Sequence, residues 1–146
     1  MYNKFKTEFP ALACNESFAR MIAAGFVMAL DPTCEELSEI KTAISEAVTN
    51  SVIHGYGCGE GVVILEGELK GSCVTFKITD MGKGIDNIEQ ARKPLYTGAP
   101  DMERSGMGFT IMEAFMDNVE IHSEKGKGTV VILTKNFAEG VTENGS

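Results

Sequence analysis

Zinc-binding spacing is missing from this chain. Its cysteines stand at positions 14, 34, 58 and 73, no two of them form C-x-x-C, and there are 2 histidines. A structural zinc site draws closely spaced Cys and His ligands together, so that class is excluded. The start, MYNKFKTEFP, lacks the basic-then-apolar order of a secretory signal. The longest mostly apolar run, MIAAGFVMAL, is half of the roughly 20 residues that a membrane-spanning helix needs. These absences predict a cytoplasmic protein with reduced thiols. Positive charge is also scarce: Lys and Arg number 13 against 21 Asp and Glu, a net charge of −8. Such a surface repels polyanions, which argues against direct contact with nucleic acid or an anionic membrane. A local anion site stays open, because a ligand feels the field around it and not the total.

Two familiar nucleotide signatures are missing as well. A P-loop requires G-x-x-x-x-G-K-[ST], which does not occur. A dinucleotide fingerprint requires G-x-G-x-x-G. Gly82, Gly106 and Gly126 each begin G-x-G, but Asn87, Ile111 and Val131 stand where the third glycine belongs.

What is present suits one domain. The 146 residues are 43% hydrophobic, enough for a real core. Residues 2 to 11 suggest a first strand. Residues 16 to 30 place Phe18, Met21, Ile22, Gly25, Phe26, Ala29 and Leu30 on a helical stripe that Asp31-Pro32 ends. Thr33 opens a second helix with Glu36 at capping-box spacing. Leu37, Ile40, Ile44, Val48 and Val52 mark its core side, and the glycines at 55, 57 and 59 end it. VVILEGEL and CVTFKITD read as strands, the second with Val74, Phe76 and Ile78 on one face. A short helix at 86 to 92, a long loop at 93 to 106 and a helix at about 107 to 116 follow. NVEIHSE and GTVVILT are the last strands. This order predicts an α+β, two-layer α/β sandwich, with a mixed, mostly antiparallel sheet and helices on one face. Residues 1–136 form the expected domain and 137–146 a flexible C-terminal tail. The four cysteines read as inert, small apolar residues.

Polar residues interrupt the second helix in a way its packing does not require. Glu46, Asn50 and His54 stand four apart among apolar neighbours, on one helix face. Two glycine pairs complete the constellation: D80-M-G-K-G84 after a strand, and G106-M-G108 at a helix start after the long loop. The chemistry fits a purine nucleotide. Asp80 at a strand end can accept the exocyclic N–H of adenine, a bond worth roughly 1.5–3 kcal/mol with a charged acceptor. Gly82 and Gly84 let the backbone approach the base. The amides of Gly106 and Gly108 at a helix start can face phosphates, with Arg104 adding charge-assisted contacts. Asn50 can give Mg²⁺ one carbonyl oxygen while phosphates and water fill the other positions. Glu46, one turn away, can act as general base toward the hydroxyl that attacks the γ-phosphate.

EAVTN, DMGKGI and GMGF, in this order, resemble the N, G1 and G2 boxes of the GHKL superfamily, which includes gyrase, Hsp90, histidine kinases and MutL. Gyrase, Hsp90 and MutL carry large additional domains, and histidine kinases need a separate helix with a phospho-accepting His. ISEAVTNSVIHGY and ARKPLYTGAPDMERSGMGF are most similar to the anti-sigma factor/serine kinase family, in its sporulation members. The resemblance covers roughly residues 5 to 135. It implies a Bergerat-type ATP-binding homodimer that sequesters a sigma factor of RNA polymerase. It also implies a protein-serine kinase that phosphorylates a small anti-anti-sigma protein. Carried over by motif, Glu46 is the catalytic base and Asn50 the Mg²⁺ ligand. Asp80, Gly82 and Gly84 hold adenine, supported by Thr129. Residues 93 to 106 form a lid, and Thr97, Arg104, Ser105, Gly106, Met107 and Gly108 complete the nucleotide set. Two other functions fit the same boxes: an ATP/ADP-controlled sequestering switch without chemistry, and a simple ATPase. Arg20, between apolar positions of the first helix, is either an interface anchor or a solvated charge.

Overall fold

A computed structural model of the protein describes residues 1–57, 59–84 and 108–137. Alternating β-branched, aromatic and polar residues build the sheet: β1 Tyr2–Pro10, β2 Val62–Lys70, β3 Cys73–Asp80, β4 Asn118–Glu124 and β5 Gly128–Asn136. The strand order is β1-β2-β3-β5-β4. Every pairing among the described residues is antiparallel, so the expectation of a mixed sheet is corrected. The reason is topological. The crossover from β3 leaves β4 running parallel to β3, but the β4–β5 hairpin folds back and inserts β5 between them.

The alternation decides which side chains face the helices. On β3, Val74, Phe76, Ile78 and Asp80 are buried in phase. Their partners Leu69, Leu65 and Val63 on β2 and Val131 and Leu133 on β5 share that face. The opposite face mixes charged residues with Ile64, Val130 and Ile132, and on it Lys77 lies 4.0 Å from Glu66.

Helices α1 Asn15–Val27, α2 Cys34–Asn50 and α3 Gly108–Phe115 cover the apolar face. A 3₁₀ turn, Met28–Leu30, extends α1. Asp31 stops it in the left-handed region at φ 52°. Thr33 then caps α2 as its spacing predicts: the Glu36 amide donates to Thr33 Oγ1 at 3.0 Å, and the Thr33 amide donates to Glu36 Oε1 at 2.9 Å. Ile40, Ala43, Ile44, Ala47 and Val48 are fully buried along α2.

The expected stripe on α1 is displaced. Its buried line is Ala19, Ala23 and Val27, while Phe18 and Met21 are 47% and 68% exposed. Ile22, Phe26 and Leu30 of the expected stripe do pack against the core, Phe26 edge-on to Phe5 and Phe76. Phe18 keeps an edge-on contact with Phe9, ring centroids 5.8 Å apart. Across the helix pair, the Ser45 hydroxyl donates to the Glu16 carboxylate. Arg20 turns back along α1, Nε 3.4 Å from Glu16 and Nη2 donating to Ser17 Oγ at 3.1 Å.

At the far end of the core, buried Lys135 Nζ donates to Glu39 Oε1 and to the Phe115 carbonyl, each at 2.9 Å. This ties β5 to α2 and to the end of α3. Phe137, which the sequence reading assigns to the tail, is buried, and its amide donates to the Ser72 carbonyl at 2.8 Å. Of the cysteines, Cys14 and Cys34 are exposed rather than packed. No helix is long and apolar enough to cross a membrane, among the described residues.

Thr33→Ala deletes the capping box at the start of the helix that carries the polar stripe. The loss is expected to be about 1 kcal/mol. Thermal unfolding should show a melting temperature a few degrees lower; an unchanged one contradicts this role for the cap.

Candidate nucleotide site

The polar stripe of α2 begins one turn before the helix changes character. After Asn50 the chain forms a π-type turn, Ser51–Gly55, closed by the Tyr56 amide donating to the Ser51 carbonyl at 3.0 Å. Such wide turns recur at functional sites. His54 lies in this turn, so the single helical face expected for Glu46, Asn50 and His54 holds in α-helical form only as far as Asn50.

Glu46 and Asn50 are half-buried. Glu46 points toward the start of α3: a Cβ placed on Gly108 would lie 3.4 Å from Glu46 Oε1. The expected base is thereby next to the first residue of the expected phosphate-binding helix. Asp80 lies further along, at the end of β3, 2% exposed. Three donors hold its carboxylate: the Gly82 amide at 2.9 Å, the Ser51 hydroxyl and the Thr129 amide. They come from three different places: the loop after β3, the π turn and β5. Burial outweighs these donors and pushes the Asp80 carboxyl above the usual carboxylate range.

Thr129 is the register partner of Asp80 across β3 and β5. Its amide supports Asp80, while its hydroxyl lies 2.8 Å from Ser123 Oγ. Ser123 Oγ also donates to the Gly128 carbonyl at 3.0 Å. The glycines after Asp80 are also required by the fold itself. A Cβ on Gly82 would overlap the Gly55 carbonyl. Gly84, at φ +78°, packs on the Glu124 carbonyl. Both are dictated by neighbouring backbone, which seals the loop onto the π turn and the β4–β5 hairpin. The Lys83 amide donates to the Gly55 carbonyl at 2.8 Å, and the Gly126 amide to the Lys83 carbonyl at 2.5 Å, completing that seal.

Seven of the expected site residues are thus located: Glu46, Asn50, Asp80, Gly82, Gly84, Gly108 and, beside Asp80, Thr129. Thr97, Arg104, Ser105, Gly106 and Met107, with the expected helix at 86 to 92 and the lid at 93 to 106, lie outside the described residues. Sequence reasoning missed Ser51. The signal was available: buried positions on α2 run 40, 43, 44, 47 and 48, and 51 continues that spacing, so a hydroxyl falls on the core stripe. Among the described residues no group of three or more His, Cys, Asp or Glu gathers as a metal site. Asn50 offers a neutral oxygen donor, which suits Mg²⁺ when phosphates supply the charge.

The burial of Asp80 makes a pH prediction. The unfolded chain releases this proton near the ordinary Asp value, about 3.9. The folded chain releases it at higher pH. The group therefore contributes stability below the unfolded value, and this is lost as pH rises through the folded value. Asp80→Asn removes that dependence. Its melting temperature relative to wild type should climb as pH rises from below the unfolded value toward neutrality. A flat or falling difference contradicts the burial argument.

Comparison with known proteins matches the chain to a family. Residues 9–135 match the model of the histidine kinase-like ATPase domain. The anti-sigma F factor of Clostridium beijerinckii is 57% identical over 136 residues, covering 92% of this chain and 95% of the relative. Those of Clostridium perfringens and Clostridium acetobutylicum are each 54% identical, covering 92% and 93% of this chain and 97% and 95% of the relatives. The chain therefore belongs to the histidine kinase-like ATPase domain family and, within it, to the anti-sigma F factors.

Proposed function

We propose that this protein binds and inhibits a sigma factor of RNA polymerase, sporulation sigma F. In this reading it uses ATP with Mg²⁺ to phosphorylate a serine of an anti-anti-sigma partner, and it works as a cytoplasmic homodimer. One observation carries the nucleotide part. A single continuous helix and its π turn present Glu46 to the start of α3 and, through Ser51, bind the Asp80 carboxylate at the end of β3. This supports the reading of Glu46 as general base and Asp80 as adenine acceptor, because one element ties the two groups together. The names of the relatives support the sigma-factor part.

The division of labour follows from the chemistry of each group. Asp80, as a carboxylate, accepts the exocyclic N–H of adenine, while Thr129 and Ser51 hold it in place. Asn50 offers its amide oxygen to Mg²⁺, which when bound neutralises charge on the phosphate oxygens. Gly108 begins α3, and the α3 amides face the phosphates with the positive end of the helix. By motif, the reading assigns Gly106 and Arg104 to phosphate contacts and Thr97, Ser105 and Met107 to the same nucleotide set. Glu46 accepts the proton of the partner's serine hydroxyl. The serine oxygen then bonds to the γ-phosphorus as the bond to the β,γ-bridging oxygen breaks, and ADP leaves with that electron pair.

Glu46→Ala should bind ATP with affinity close to wild type and transfer no phosphoryl group. Labelled ATP, purified protein and an anti-anti-sigma partner are enough to measure this. Transfer at an undiminished rate removes Glu46 as the base. Absence of transfer even by the wild-type protein favours a sequestering switch, and sustained phosphate release without the partner favours a simple ATPase.

A further inference from the structure

We propose that Tyr56 is a positioning residue that sets the aim of Asp80 and thereby the preference for adenine. The proposal rests on the reading that Asp80 accepts the adenine amino group. Tyr56 follows the π turn directly. Its hydroxyl donates to the Val62 carbonyl at 2.7 Å and accepts from the Met81 amide at 2.6 Å. One side chain thus bridges the first residue of β2 and the residue after Asp80. Its backbone is equally committed: the amide donates to the Ser51 carbonyl at 3.0 Å, and the carbonyl accepts from the Gly59 amide at 2.8 Å. The ring lies over Gly61, where any Cβ would overlap it.

The consequence concerns Asp80. Its carboxylate is gripped on one side by Ser51, at the opposite end of the π turn from Tyr56. On the other side the Gly82 amide grips it, and the chain must pass through Met81 to reach Gly82. Met81 is itself 65% exposed, so its side chain does not fix the turn. The Tyr56 hydroxyl fixes it by holding the Met81 amide. The Lys83 amide on the Gly55 carbonyl is the second tie between the same two segments. Loss of the hydroxyl removes the one tie at Met81, between the Ser51 bond to Asp80 and the Lys83 bond to Gly55, and the Asp80–Gly82 segment can shift relative to the helix that carries Glu46 and Asn50.

Such a shift affects only ligands that use Asp80. ATP offers an exocyclic N–H to the carboxylate. Inosine triphosphate offers a carbonyl oxygen in its place and gains nothing from it. Tyr56→Phe is therefore expected to weaken ATP binding roughly five- to tenfold while changing inosine triphosphate binding by less than about twofold. Calorimetry with both nucleotides on the folded protein reads the ratio. A general loss of structure lowers both affinities together, so a collapse of the ratio separates positioning from bulk stability.

If Tyr56→Phe does not fold, Gly61→Ala displaces the ring with the hydroxyl retained, and the same loss of preference is expected. An unchanged ATP-to-inosine triphosphate ratio in the folded variant overturns the role of Tyr56. Asp80→Asn is the control. If it leaves ATP affinity unchanged, the adenine reading and this inference fall together. If it weakens ATP binding and Tyr56→Phe does not alter the ratio, the inference alone falls.

Discussion

A buried carboxylate is the constraint around which this protein is arranged. Asp80 occupies the last core-facing position of β3, in line with Val74, Phe76 and Ile78. A charge there is costly unless it is hydrogen-bonded. The fold answers with donors from the π turn, the loop after β3 and β5. Burial still outweighs those donors and raises the Asp80 carboxyl above the usual carboxylate range. In the proposed reading an incoming N–H donor adds a further partner, so that stability and recognition compete at this residue.

The rest of the architecture serves to keep that carboxylate in register with α2. α1 and α2 pack together with buried alanines on each, and Lys135 anchors the opposite end of the core to Glu39 and the end of α3. Between these anchors α2 meets the start of α3 at Glu46, and its π turn meets the end of β3 at Ser51. The sheet is antiparallel throughout the described residues, yet the insertion of β5 between β3 and β4 places Thr129 directly opposite Asp80. The topology therefore delivers a supporting amide to the place where the charge is buried.

Much of this was legible from the residues. The capping box at Thr33 and Glu36 uses local chemistry, and local chemistry survives folding. The phase of β3 followed from strict alternation, and extending it by one step would have predicted that Asp80 faces inward. Spacing alone did not settle α1, because periodicity finds an apolar stripe without telling large side chains from small ones. Ala19, Ala23 and Val27 form the fully buried line, Ile22, Phe26 and Leu30 pack beside it, and Phe18 and Met21 lie outside. Nor did it reveal why Gly82 and Gly84 are glycines. Their neighbours, Gly55 and Glu124, come from distant parts of the chain, and only the fold brings them there. The π turn was invisible for a similar reason: its signal is a hydrogen-bond pattern, and no residue type in SVIHG demands it.

The central claim is that the adenine base lies against Asp80 while the reacting phosphate lies beside Glu46. A crystal structure with Mg²⁺ and a non-hydrolysable ATP analogue tests this most directly. The exocyclic nitrogen should lie within hydrogen-bond reach of the Asp80 carboxylate, about 2.7–3.2 Å, and the terminal phosphate between Glu46 and the start of α3. A nucleotide bound with its base away from Asp80, or with its phosphates remote from Glu46, contradicts the account.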